Sequence, residues 1–429
     1  MDRVIPPAFR EGEPLLELER EFRTALLAAG AGVFGKLLQQ RVDQIDANYQ
    51  PKPKQGQMGR RPLTVATLFG EVPIKRDYYY DGEQGHCPAD AALGLESHFT
   101  PALARLICRS AAEQPYGAAS RDLLEYGEIQ VDERQIQRVV LRIGPATEPW
   151  LEAQQGSPQA VPVFYISCDG TGAPMRKEEL VGRKGKQPDG QAKTREVKLG
   201  AVFTQHTRDE KGRPIRDHQS TTYVGSFDKA EDFAVILRQD ARRRGVALAQ
   251  QVVFLSDGAA WTEEIQRQNF SEAVSILDFY HAAERVHTLA RVSSPDDAAA
   301  KKQAGRWIKD LLKDKVASVI DQARQLTPRN KEKLETAQEQ LQFLTAHQER
   351  MLYGTYRKKG WFIGSGVIEA GCKTVVGKRL KQSGMFWSET GATCVLNFRT
   401  LLLSERFDAF WRDRQNQSSA RNDVLALPA

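Results

Sequence analysis

The chain has 429 residues, 41% of them hydrophobic and 27% charged, with 61 Lys plus Arg against 55 Asp plus Glu and a formal net charge of +6. That length suits two to four domains with at least one large core, and the balance of apolar and charged residues excludes a disordered chain. The basic excess is mild and bears on partners only where the basic residues cluster.

No stretch approaches the ~20 uninterrupted apolar residues of a membrane span. The opening Met-Asp-Arg-Val-Ile-Pro-Pro lacks the basic-then-apolar pattern of a signal peptide. Cys87, Cys108, Cys168, Cys372 and Cys394 are widely spaced, odd in number and include no Cys-x-x-Cys pair. This argues against a disulfide framework and against a Cys-based structural zinc site. The expectation is a soluble, reduced, cytoplasmic protein.

Residues 14–46 carry apolar positions at helical spacing: Leu15, Leu18, Phe22 and Leu26, then Phe34, Leu37, Leu38, Val42 and Ile45. Gly30 and Gly32 fall between the two sets, which predicts two short helices or one kinked helix. The Pro/Gly-rich, basic stretch 49–62 reads as a loop, and LTVATLFGEVPIKRDYYY alternates around Gly70 as a β-hairpin does. Over 100–145 helical spacing returns. A break at Glu125-Tyr126-Gly127 and a restart at Val131-Asp132-Glu133 predict two helices joined by a tight turn. That pair is either a plain helical hairpin or a DNA-reading helix-turn-helix with residues 132–143 as the recognition helix.

A polar stretch at 152–160 marks a boundary. Beyond it, VPVFYISCDG reads as a buried strand ending at Asp169, 197–204 as a second strand and 220–225 as a third. A helix over 229–244 leads into QVVFLSD, a buried strand ending at Asp257. Then come a helix from Trp261, a strand over 273–277 and a helix from Tyr280. The order β-β-β-α-β-α-β-α predicts an α/β fold with a mixed sheet, not a doubly wound one. Residues 296–352 read as an inserted, all-α helical pair. Ile308, Leu311, Leu312, Val316, Val319, Ile320, Ala323 and Leu326 lie on one face, Thr327-Pro328 caps the restart, and Leu334, Leu341 and Leu344 begin a second face. Ile363-Gly364-Ser365-Gly366 opens a last helix through Glu369 to about residue 382.

Two strands end alike, Ser167-Cys168-Asp169-Gly170 and Ser256-Asp257-Gly258-Ala259. A single Asp-Gly after a strand is an ordinary turn. Two in one sheet would place carboxylates side by side, which costs energy unless a cation neutralises them, and hard oxygen ligands suit Mg²⁺ or Mn²⁺. Glu369 is the candidate third acid. Its alternative is a solvated surface pair with Lys373. The run 372–382 holds Lys373, Lys378, Arg379 and Lys381 and no acid. Two divalent ions held by Asp169, Asp257 and Glu369, beside a basic helix that binds phosphates, amount to phosphoryl transfer on nucleic acid.

The stretches SCDGTG, KLGAVFT, LSDGAAW, LDFYH and GSGVIEAGCKTVVGKRLKQSGMFWSETGA together resemble the DDE transposases of the bacterial ISKra-type insertion-sequence family over most of 160–405. The resemblance implies an RNase H-like core with an all-α insertion, preceded by a mainly helical, DNA-binding N-terminal region with a β-hairpin. It implies Asp169, Asp257 and Glu369 as the catalytic and metal-binding triad, with Asp169 bridging two Mg²⁺ or Mn²⁺ ions. Asp278 and His281 match an Asp-x-x-His motif of Mutator-like transposases, which implies a place for them near the site, His281 among the catalytic residues. Trp261 and Trp387 are candidates for stacking on an unpaired base, or for packing in the core.

Where family members often carry a small Cys-containing motif, only His86 and Cys87 stand, too few ligands for a zinc knuckle. The implied layout is an end-binding region over 1–99, a helical segment over 100–150, a first core part over 160–295, the insertion over 296–355, the final core helices over 356–412 and a flexible tail over 413–429. The implied partners are terminal inverted repeats and target DNA, with a homodimer or higher oligomer acting on paired ends at the nucleoid. The alternatives are an RNase H-fold nuclease without strand transfer and a domesticated, non-catalytic DNA-binding regulator.

Overall fold

The computed structural model describes residues 14–156, 158–183, 192–326 and 330–426. The chain divides into two compact units, Met1–Glu148 with Arg406–Ala429, and Pro149–Glu405. Among the described residues no helix is long and apolar enough to cross a membrane, and the five cysteines are free, buried thiols.

The first unit opens with one helix, α1 (Leu15–Asn48), not two. Gly30 and Gly32 do not break it, because a glycine costs a helix only ~1 kcal/mol and packing recovers that. A Cβ on Gly30 would lie 3.2 Å from the Phe69 ring, and one on Gly35 3.4 Å from Val72, so the small residues let α1 lie close to the sheet. Strands β1 (Gly56–Thr67) and β2 (Gly70–Tyr80) form the hairpin, with Thr67 paired to Gly70. The strand begins within the stretch expected to be loop. Leu38 and Val42 of α1 pack on Val65, Val72 and Ile74.

Three helices follow where two were expected: α2 (Pro101–Glu113), α3 (Tyr116–Gly127) and α4 (Glu133–Ile143). Glu128, in the left-handed region, closes α3. Asp132 and Gln135 form a reciprocal capping box that starts α4. The C-terminal segment is a helix, Phe407–Ala426, and belongs to this unit, with Arg414 paired to Glu96 and Arg105 to Asp408. The segment expected as a tail is thus helical through Ala426, and 406–412 group with the first unit and not with the core.

The second unit is built on a five-stranded mixed sheet: β3 (Val163–Pro174), β4 (Thr194–Gln205), β5 (Thr222–Ser226), β6 (Gln251–Ser256) and β7 (Val274–Leu277). Their spatial order is β7-β6-β3-β4-β5. The β3–β4 and β4–β5 pairs are antiparallel, and β3–β6 and β6–β7 parallel. Helices α5 (Ala230–Arg243), α6 (Ala260–Asn269) and α7 (Phe279–Ser293) alternate with the later strands, as the apolar pattern predicts. Phe164, Ile166 and Phe254 bury one sheet face against Phe233 and Leu237 of α5.

The all-α segment holds three helices, α8 (Asp297–Leu311), α9 (Val316–Gln325) and α10 (Lys331–Ala346), where a pair was expected. Asp314, at φ 62°, turns the chain between α8 and α9 and accepts hydrogen bonds from the Gly354 and Thr355 N–H groups. The expected cap at Thr327-Pro328 lies outside the described residues, and Asn330 caps α10 by accepting from the Lys333 N–H. Trp307, Leu311, Val319, Ile320 and Leu344 share one buried cluster with Tyr165, Val253 and Leu255. The insertion therefore covers the second face of the sheet. Last come α11 and α12 (Glu389–Leu403). α11 runs through Gly366–Gly371, widens into a π-helical turn over Cys372–Gly377 and ends with Lys378–Leu380.

Candidate active site

β3 does not stop at Asp169. It runs on to Pro174 because β4 pairs with it along its whole length, whereas the pairing with β6 ends at Ser167–Leu255. Two residues beyond that last pair stand Asp169, still on β3, and Asp257, one residue past the end of β6. Both carboxylates are half-buried. Asp169 Oδ1 accepts from the Gly170 N–H at 2.6 Å and Asp257 Oδ1 from the Ala259 N–H at 2.9 Å. Burial, with the negative charge of Asp257 added to it, holds the Asp169 carboxyl above the usual carboxylate range.

The third acid arrives on α11. Cys372 donates its thiol to Asp169 Oδ2 at 3.6 Å, which ties this helix to β3 less than one turn past Glu369. Burial and the Asp169 charge push that thiol up to about 12, so it is no nucleophile. A Cβ on Gly371 would lie 2.7 Å from the Tyr223 ring and 3.1 Å from Leu199, so only glycine lets α11 lie this close to β4 and β5. The π-helical turn that follows Glu369 is a departure often met at functional sites. Glu369 Oε1 accepts from the Ser365 hydroxyl at 3.1 Å.

Asp278, Glu369 and His281 each offer a ligand atom within 4.8 Å of the others. Asp278 caps α7 and is fully buried. Its Oδ1 accepts from the His281 N–H at 2.7 Å and lies 3.1 Å from His281 Nδ1, and its Oδ2 accepts from the Ser365 N–H. Burial opposes its charge, but these donors outweigh burial and hold it below the usual range. His281 is shifted up by the Asp278 bond first, and by the charges of Asp257 and Glu369 as well. With both oxygens engaged, Asp278 fits an orienting role: it fixes the imidazole and the loop that launches Glu369.

Three residues with no sequence signal stand behind Asp257. Arg350 donates to the Ser256 hydroxyl at 2.7 Å and pairs with Glu263, which also takes His347 Nδ1 at 2.8 Å. A Cβ on Gly258, at φ 88°, would meet Leu277, Phe343 and His347 within about 3.2 Å, so the turn after Asp257 is packed as well as tethered.

Of the expected phosphate contacts, Lys373, Lys378 and Lys381 are exposed, and Lys381 donates to the Thr171 hydroxyl, two residues past Asp169. Arg379 must be corrected. It is 1% exposed, with its guanidinium 4.9 Å over the Trp387 ring, and it packs in the interior. Trp387 is buried too and donates to the Leu380 carbonyl at 3.0 Å, which leaves it no face for a base. Trp261 is half-buried, set edge-on to Phe233. In the first unit, Arg134, Arg138 and Arg142 form an exposed ridge at four-residue spacing on α4.

The profile of one family, described as Uncharacterised protein family (UPF0236), matches residues 9–408. The chain belongs to that family. A relative described as "UPF0236 protein in vanSb 3'region" from Streptococcus gallolyticus is 24% identical over 356 residues, covering 81% of this chain and 74% of the relative. Among solved structures, a "Drosophila P element transposase strand transfer complex" aligns over 76% of this chain and 83% of its own, at 11% identity and a TM-score of 0.29. That likeness is too slight to bear on fold or function.

Proposed function

We infer that this UPF0236 protein is a DDE transposase of the ISKra type, with an RNase H-like core that cleaves and joins DNA strands at the ends of an insertion sequence. The observation that carries the reading is the pair Asp169 and Asp257, each two residues past the last paired residues of two adjacent parallel strands, with the charge of Asp257 felt at Asp169. Among the described residues neither they nor Glu369 are ion-paired with a Lys or Arg. Two half-buried carboxylates that feel each other's charge are costly when both are ionised, and a bound cation removes that cost. The donor set fits one: Asp257 and Glu369 each spend one oxygen on a local hydrogen bond, the second oxygen of Asp169 meets only the weak Cys372 thiol at 3.6 Å, and all the ligand atoms are hard oxygens.

Two divalent ions, when bound, would lower the pKa of an attacking water or 3′-hydroxyl and stabilise the leaving oxygen. The chain's own residues supply the rest. Asp169, Asp257 and Glu369 hold that charge in place. Asp278 keeps His281 oriented, with its second ring nitrogen available to the scissile phosphate. Lys373, Lys378 and Lys381 bind the flanking phosphates. The ridge of Arg134, Arg138 and Arg142 supports α4 as the helix that reads the terminal repeat.

The decisive experiment incubates the protein with DNA carrying its native flanking sequences in Mg²⁺ or Mn²⁺, with Asp257→Ala as control. Cuts at the repeat ends that vanish in the variant are expected. Specific binding with no cutting in either metal would reject the enzyme in favour of a regulator, and cutting without joined products would leave a nuclease. In the same assay Lys373→Ala/Lys378→Ala/Lys381→Ala should flatten the salt dependence of binding, by about 2 to 3 in log K against log salt. An unchanged slope removes α11 from the DNA interface.

A further inference from the structure

α1 has two apolar faces, and the fold uses one. Phe34, Leu38, Val42 and Ile45 face the hairpin. About 130° around the helix, Leu15, Phe22, Leu26, Val33 and Leu37 fall within an arc of about 60° at 100° per residue. They are 68%, 53%, 61%, 62% and 58% exposed. A soluble protein rarely leaves so ordered an apolar stripe uncovered.

We propose that this stripe docks on the same stripe of a second copy, with the two α1 helices antiparallel about a twofold axis beside Ala29. The spacing itself selects the partner. Positions 22, 26, 33 and 37 read the same in both directions, so Phe22 meets Leu37 of the second copy and Leu26 meets its Val33, each contact made twice as an isologous interface requires. The charges agree. Glu19, flanking the stripe in the first half, is exposed, as is Arg41 on the same side in the second. Antiparallel pairing sets Glu19, at the edge of the stripe, near Arg41 of the other copy, whereas a parallel pair would set Glu19 against Glu19 and Arg41 against Arg41. The two stripes would bury on the order of 1,000 Å², the lower end for a specific interface. DNA does not suit a face made of Leu, Phe and Val. The proposal is independent of the transposase reading.

Sedimentation of the full chain at micromolar concentration should give twice the 48.1 kDa mass of one chain. Leu26→Glu/Val33→Glu should weaken dimerisation at least about 100-fold while leaving the far-UV circular dichroism unchanged. Should that variant misfold, Phe22→Ser/Leu37→Gln disturbs the outer contacts instead and should also yield monomer. Orientation is read by cross-linking: Leu26→Cys mixed with Val33→Cys should form disulfide-linked dimers faster than either alone. Arg41→Glu should restore the dimer that Glu19→Arg weakens. A monomer at all concentrations, a dimer indifferent to both double variants, or variants that lose DNA binding but not mass would each overturn the proposal.

Discussion

Asp169→Asn is expected to lose metal-dependent strand cleavage by at least about a thousandfold, since a carboxylate that anchors transition-state charge is worth several kcal/mol. On the proposed function, binding to the terminal repeat should be nearly unchanged, because phosphate affinity would reside in the lysines and arginines. A second consequence can be measured without DNA. An acid whose carboxyl is raised in the folded state holds its proton more tightly there than when unfolded, so ionised Asp169 costs stability at neutral pH. Asparagine removes that cost. Without divalent cation the variant should therefore melt above the wild type.

Mg²⁺ should reverse the order. A cation bound only by the folded wild type adds about 2.7 kcal/mol at a hundred times its dissociation constant, and the variant should gain little. Calorimetric melts of both proteins with and without Mg²⁺ read both effects. Equal Mg²⁺ shifts in the two would remove Asp169 from the metal site, whatever cleavage shows.

Trp307→Ala should lower the unfolding free energy by about 3–5 kcal/mol. Trp307 is fully buried on α8, and its indole N–H donates to Gln322 Oε1 at 3.1 Å. Its cluster joins α8, α9 and α10 to Tyr165 of β3, which carries Asp169, and to Leu255 of β6, which leads to Asp257. Truncation leaves a cavity that rigid strands cannot collapse to fill, and it removes the donor to the Gln322 amide oxygen. Urea titration should show one cooperative transition at a lower midpoint. A loss under about 1 kcal/mol, or two separate transitions, would mean that the helices fold apart from the sheet.

The strands bearing Asp169 and Asp257 were legible because a buried strand is a short apolar run, and each run is punctuated by Asp-Gly. Glu369 could be named from the Gly-Ser-Gly opening of its helix and from the family resemblance. Gly30 and Gly32 misled because local helix propensity is weak beside the packing of α1 on Phe69 and Val72, residues some 40 positions away. Arg379 was misassigned for the same kind of reason. A basic run looks solvated until the fold lays one of its members across Trp387.

Sequence alone determined the order of elements in the core, which is written in short-range patterns of apolar and turn-forming residues, and it marked Asp169 and Asp257 as candidates at strand ends, while the choice of Glu369 and of a catalytic role for all three rests on the family resemblance. Only tertiary structure decided that the insertion closes the sheet, that Arg350 and Glu263 tether the strand leading to Asp257, and that Asp278 holds His281 and Ser365 together. Each of these joins residues far apart in the chain, and burial and hydrogen-bond geometry at that range leave no periodic trace in a sequence.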